Sequence, residues 1–397
     1  MDSREPSRRG SDESPDFSLV LGGPLFQFLI RSHLAGDALD LVRRRLVVIA
    51  LFAWLPLFLL SAAQGTLLGG DIAVPFLKDL ELHARFLLAL PLLIVAELVV
   101  HQRMRSILQV FRERGIVPEA ARPRFEAAIA SAYRLRNSIG AELALVAIVY
   151  GFGIQVFWRN FIALDTVTWY SSPSGLTIAG IWYGYVSLPI FQFLLCRWYF
   201  RIFIWARFLF HVSRIELSLI PTHPDKLGGF GFLANTVHAF TPLATAHGVM
   251  LAGPLASRIF FAGAKLSDFR MEAILLVVLV LIIVFGPLLA FAPQLAAARR
   301  TGMREYGTFA ERYVRAFDEK WLRGGAPPDE SPLGSGDIQS LADLGNSLEV
   351  VRTMRTFPIT REAVVRLAAA TFVPILPLAL TMMPLEELLK KLFGMIF

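Results

Sequence analysis

The chain has 397 residues, 55% of them hydrophobic and 18% charged, with a formal net charge of +7. It is too apolar for a water-soluble domain, and its basic residues flank apolar runs instead of forming a patch with interleaved aromatics, which excludes a nucleic-acid binder and points to membrane topology. The one cysteine, Cys196, lies in an apolar run and excludes an internal disulfide.

The first 18 residues mix Arg4, Arg8 and Arg9 with Asp2, Glu5, Asp12, Glu13 and Asp16 and have no apolar centre. They read as a disordered tail, not as a signal or transit peptide. Residues 19–300 follow as a bundle with six apolar stretches: 46–63, 84–100, 139–158, 176–196, 234–262 and 273–297. Each is near the roughly 20 residues a helix needs to cross ~30 Å of hydrocarbon. The fold class is therefore an all-α polytopic helix bundle. A seventh stretch, 367–384, carries Pro374, Pro377 and Pro384 and fits a kinked span or a re-entrant segment equally.

Lys and Arg in the connections give the orientation. Loop 64–83 holds only Lys78 and loop 159–175 only Arg159, whereas 101–138 holds eight arginines. The N-terminus, 101–138, 197–231 and 298–365 are thus expected in the cytoplasm. The loop with Lys265 and Arg270 fits this rule less well. Pro118 and Pro123 divide 101–137 into a helical hairpin. In the cytoplasmic segment 301–363, Tyr306, Phe309, Tyr313, Phe317 and Trp321 form an aromatic stripe expected to be buried against protein. A helix over 337–356 places Ile338, Leu341, Leu344, Leu348, Val351 and Met354 on one face. Segment 364–397 is the last membrane segment with an amphipathic tail, Leu385 to Phe397. No internal repeat is visible.

The candidate chemistry is concentrated in three places. The first is the turn Thr222-His223-Pro224-Asp225, followed by Gly228, Gly229 and Gly231, where glycines permit left-handed backbone and offer amides to an anion. It lacks the context of a phosphate loop, and the blander reading is a tight turn in which Asp225 caps the next helix. The second is the run Arg197, Arg201, Arg207, His211 and Arg214, which on a helix fall within roughly 140° of arc. That face snorkels to lipid headgroups, attracts anions, or pairs with buried carboxylates. The third is Glu97 and Glu142, carboxylates at the same depth, costly there unless paired or hydrated. His238 and His247 lack metal-ligand spacing, and no metal or cofactor pattern appears.

The runs Thr222 to Asp225 and Gly228 to Leu233, with Gly336 to Ser347, resemble a family of bacterial multi-pass inner-membrane proteins. The resemblance implies a bacterial inner-membrane location and brings no activity or site residues with it. Three readings stay open: a channel or transporter for a small anion with a cytoplasm-facing site, a membrane enzyme acting on a lipid or lipid-linked substrate, and a scaffold or regulatory subunit. Membrane lipids and an anionic ligand are the expected partners, with a homo-oligomer or a partner subunit left open.

Overall fold

In the computed structural model the described residues are 18–20, 22–31, 42–69, 72–105, 107–153, 155, 168–172 and 175–381. They form ten principal helices in chain order: α1 Pro24–Arg31, α2 Val42–Ala63, α3 Leu80–Glu113, α4 Glu119–Arg136, α5 Ile139–Gly153, α6 Ile178–Val212, α7 Thr241–Ala262, α8 Leu266–Leu322, α9 Gly336–Arg352 and α10 Arg361–Thr381. Of these, α2, α3, α6, α8 and α10 are long and apolar enough to cross a membrane, and the pair α4 and α5, bent by 48°, makes a sixth if taken as one span. The chain is an all-α integral membrane bundle. The only strands among the described residues are the two-residue hairpin Ser171–Ser172 and Gly175–Leu176.

Local chemistry sets the helix ends. Hydroxyls of Ser138, Thr177 and Thr360 accept from the amides of Ala141, Gly180 and Ala363 at 3.2, 2.9 and 3.1 Å, closing donors that a helix start leaves open. Gly263, with φ +68°, ends α7 in the left-handed region.

The expected fifth span, 234–262, is broken: a short helix, Gly231–Thr236, and a 3-10 turn, Val237–Phe240, precede α7. Helix α7 is rich in Ala, Gly and Thr, and it is not among the helices that qualify as spans on length and apolarity. Its packing compensates. It lies between α3 and α10, and a Cβ at Gly248 would collide with the Thr371 carbonyl, while one at Gly253 would come 2.9 Å from the Ala84 Cβ. A helix sheltered by other spans needs small residues for close approach more than it needs greasy ones for lipid.

One end of the bundle collects the arginine-rich segments. There Gln294 Nε2 donates to the Ser213 and Ile215 carbonyls, both at 2.7 Å, and the Ser218 amide donates to Ile116 O at 2.9 Å. Helix α8 runs on past this end and α9 packs back along it. The aromatic stripe is only partly covered: Tyr313 and Trp321 donate to Asp337 and Tyr306 meets Thr222, but Phe309 is 57% exposed. On the facing helix Val351 is buried, as is Met354 just beyond it, whereas Ile338 is exposed, because a two-helix arm has nothing against its outer side. At the opposite end Trp169 Nε1 donates to Asp79 Oδ2 at 2.9 Å and Val74 bridges Thr168.

The expected tail boundary also shifts. Residues 1–17 lie outside the described residues, but Ser18, assigned to the disordered tail, is buried together with Leu19 and Val20. The amphipathic tail from Leu385 likewise lies outside them. The segment 367–384 is helical through Thr381, turning from α to 3-10 geometry at Val373, and belongs to a helix that qualifies as a span.

Candidate functional site

Four helices each send an ionisable side chain to one buried point. Arg197 and Arg201 stand one turn apart on α6, so both point the same way. Glu97 reaches them from α3 and Arg45 from the first turn of α2. Glu97 Oε1 lies 2.7 Å from Arg201 Nη1 and 3.5 Å from Arg197 Nη1, while Oε2 is 2.6 Å from Arg45 Nη2. Glu142, in the first turn of α5, stands 3.7 Å from Arg197 Nε. All four central groups are buried, Glu97 at 4% exposure and Arg201 at 3%.

Three guanidinium charges thus face two carboxylates, leaving one positive charge in excess. Arg201 Nη2 and Arg45 Nε are buried without a hydrogen-bond partner among the described residues. Burying a charge is tolerable only when it is paired and hydrogen-bonded, so unmatched N–H groups mark a seat for water or an anion. Arg201, though not Arg45, lines a cavity of about 10 Å³, room for one water-sized occupant, whose other walls include Arg136, Glu142, Arg197, Leu19 and Gly22.

Residues 18–20 and 22–23 lie over this cavity, with Leu19 and Gly22 among its walls. Arg136 Nη1 donates to the Ser18 carbonyl at 2.6 Å, and the Ser18 hydroxyl is 3.0 Å from His101 Nδ1. Gly22 and Gly23 take φ of +128° and +89°. A Cβ there would come 2.6 Å from Asn137 Oδ1 and 2.8 Å from Glu142 Oε1, so only glycine lets the backbone lie this close.

The turn that carries His223 and Asp225 forms a separate cluster. Asp225 Oδ1 accepts from the amides of Leu227 and Gly229 at 2.7 and 3.2 Å, and Oδ2 from the Gly231 amide at 2.8 Å. The carboxylate of Asp225 therefore occupies the amide nest that the sequence offers to an external anion, and it caps the helix starting at Gly231. Burial raises its carboxyl, but the Gly231, Leu227 and Gly229 amides outweigh that and hold it below the usual carboxylate range. His223 Nδ1 is 2.9 Å from Asp225 Oδ1 and 3.2 Å from the Asp225 amide. It donates to the first only when protonated at that atom and accepts from the second only when not. Lys226, at φ +56°, and Gly228, at +64°, complete the turn, which is pinned when the Arg355 amide donates to Lys226 O at 2.8 Å.

Glu97, Glu142, Arg197 and Arg201 are thus brought together, and His223, Asp225, Gly228, Gly229 and Gly231 form their own closed loop. His211, in the last turn of α6, sets its ring edge-on to Phe210 and joins neither group. Arg207 donates to Ser131 Oγ at 2.8 Å. His247 pairs with Tyr199 across 2.7 Å, apart from His238, and no trio of potential metal ligands gathers among the described residues.

Sequence reasoning passes over Arg45, because Arg43-Arg44-Arg45 before an apolar run reads as a topological flank. Its signal is periodic: Arg45 lies about 60° and 80° around the helix from the buried Val42 and Ala53. Comparison with known proteins gives no match to a protein-family model, a curated protein or a solved structure.

Proposed function

We propose that this membrane protein binds a small anion at the Arg45, Arg197, Arg201 and Arg136 cluster and passes it across the bilayer as a channel or carrier. The observation that carries the reading is the excess of buried guanidinium charge with unmatched N–H groups beside a water-sized cavity. Such a site, in a low-dielectric surrounding, attracts an anion far more strongly than an exposed arginine does. We read this arginine-rich end as the cytoplasmic side of a bacterial inner-membrane protein, a sidedness that the excess of Arg in its connections supports. The test is flux of chloride, nitrate and phosphate into proteoliposomes. Saturable flux of one of them, lowered by Arg136→Gln and raised by Glu142→Gln, is the expected result. Flux equal to that of empty vesicles for all three, or indifferent to both variants, overturns it.

A second reading is a purely structural ionic lock, favoured by the way both Glu97 oxygens are occupied by Arg45 and Arg201. Under it, the same variants lower thermal stability and no anion raises it. An enzyme using His223 and Asp225 is less well supported, since the Asp225 oxygens are already taken by three backbone amides.

A further inference from the structure

The end of the bundle opposite Glu97 holds a feature that anion passage does not use. Where α7 turns into α8, Arg258, Lys265 and Arg270 are all exposed. None is paired with a carboxylate among the described residues. The nearest acid in sequence, Asp268, is occupied: its Oδ2 accepts from the Lys265 amide at 3.0 Å and its Oδ1 from the Ser267 hydroxyl at 3.3 Å. Glu272 follows one turn along and is exposed. The remaining connections at this end carry only Lys78 and Arg159 as Lys or Arg. Among the described residues, three cations without a carboxylate partner here run against the charge asymmetry of the other connections.

Arg270 lines the mouth of an apolar groove of about 460 Å³ between α8 and α10, and Lys265 directly precedes Leu266, the first residue of its lining. Phe269, Ala273 and Val277 form one wall, Phe372 and Ile375 the other, and Ser267 and Arg270 the polar rim. Arg258 is tied to the same place by lying over the Phe269 ring, its Cζ 5.7 Å from the centroid. The volume is that of a small-molecule site. Its chemistry is that of an amphiphile, with positive charge at the rim and hydrocarbon walls running to membrane depth.

We propose that this groove binds one anionic phospholipid, with its phosphate on Arg270 and Lys265 and an acyl chain laid between α8 and α10. A soluble phosphate does not use the apolar walls, and a zwitterionic lipid brings its own cation to a site that already has three. Each basic residue near a lipid phosphate is worth about fivefold in affinity.

The experiment is native mass spectrometry of the full chain in detergent, titrated with phosphatidylglycerol or phosphatidylcholine of equal chain length. Expected is preferential retention of phosphatidylglycerol, reduced about fivefold by Arg270→Gln and abolished by Arg258→Gln, Lys265→Gln and Arg270→Gln together. Filling the groove with Ala273→Phe and Val277→Phe is expected to remove retention of both lipids, and glycerol phosphate is expected not to displace the bound lipid. Should the multiple variants fail to fold, the single exposed change Arg270→Gln decides alone. Equal retention by wild type and Arg270→Gln, or displacement by glycerol phosphate, overturns the proposal.

Discussion

Glu97 and Arg201 are 104 residues apart in sequence and meet at 2.7 Å in the interior. Arg45 and Arg197 share the same carboxylate, so Glu97 is the central negative charge among three buried cations, while Glu142 reaches Arg197 alone. Replacing it by Gln leaves Arg45 and Arg201 without a facing carboxylate and Arg197 with only Glu142 at 3.7 Å; removing one partner of a buried pair costs about 3–5 kcal/mol. Glu142, with a single ion-pair distance of 3.7 Å and partial exposure, carries less. Thermal denaturation in detergent is expected to show a large loss for Glu97→Gln and a small one for Glu142→Gln. Equal losses contradict the central place of Glu97.

Asp225 gives a pH prediction. Its folded carboxyl lies below the usual range, so its contribution is complete above the unfolded value, about 3.9, and is lost as pH falls through the folded value. Asp225→Asn presents one acceptor oxygen in place of two charged ones and is expected to cost about 1.5–3 kcal/mol at neutral pH. The variant is also expected to lose less stability than the wild type on acidification. Melting curves from pH 7 downward check this, and parallel declines exclude the carboxylate as the acceptor of the three amides.

The cluster was half legible in the sequence for a physical reason. Ionisable groups inside apolar runs must find partners, so Glu97, Arg197 and Arg201 announce one another. Arg45 is masked by its two neighbours, which have the ordinary role of flanking a span. The turn at Asp225 was legible as a turn, but not its closure. That depends on a positive φ at Lys226 and on Arg355, 130 residues away. Likewise α7 reads as a span by position, while its dependence on neighbours for shelter is a tertiary fact that hydropathy does not encode.

That dependence separates two glycines that look alike in sequence. Gly248→Ala forces a Cβ into the Thr371 backbone, and overpacking of this kind costs about 1–3 kcal/mol or more. Gly307, in the interior of α8, has nothing within 4 Å of a built Cβ, so Gly307→Ala is expected to stabilise by about 1 kcal/mol through helix propensity. Detergent melts of the two variants should move in opposite directions. A neutral Gly248→Ala would show that α10 does not press on α7 there.

The covering segment is testable by thiol chemistry. Cys196 is the only native cysteine, so Cys196→Ser with Ser18→Cys provides one reporter at a position that is 2% exposed. With the segment seated, a water-soluble maleimide is expected to react slowly. Gly22→Val puts a β-branched side chain at a φ of +128°, a conformation L residues rarely adopt, and crowds Asn137 and Arg136, so the backbone there is expected to shift away from them. Labelling at position 18 is then expected to accelerate while the protein still elutes as a folded species. Because Leu19 and Gly22 wall the arginine cavity, the same displacement opens it to solvent. If labelling is fast before the valine is introduced, the cavity is already accessible and the segment does not cover it.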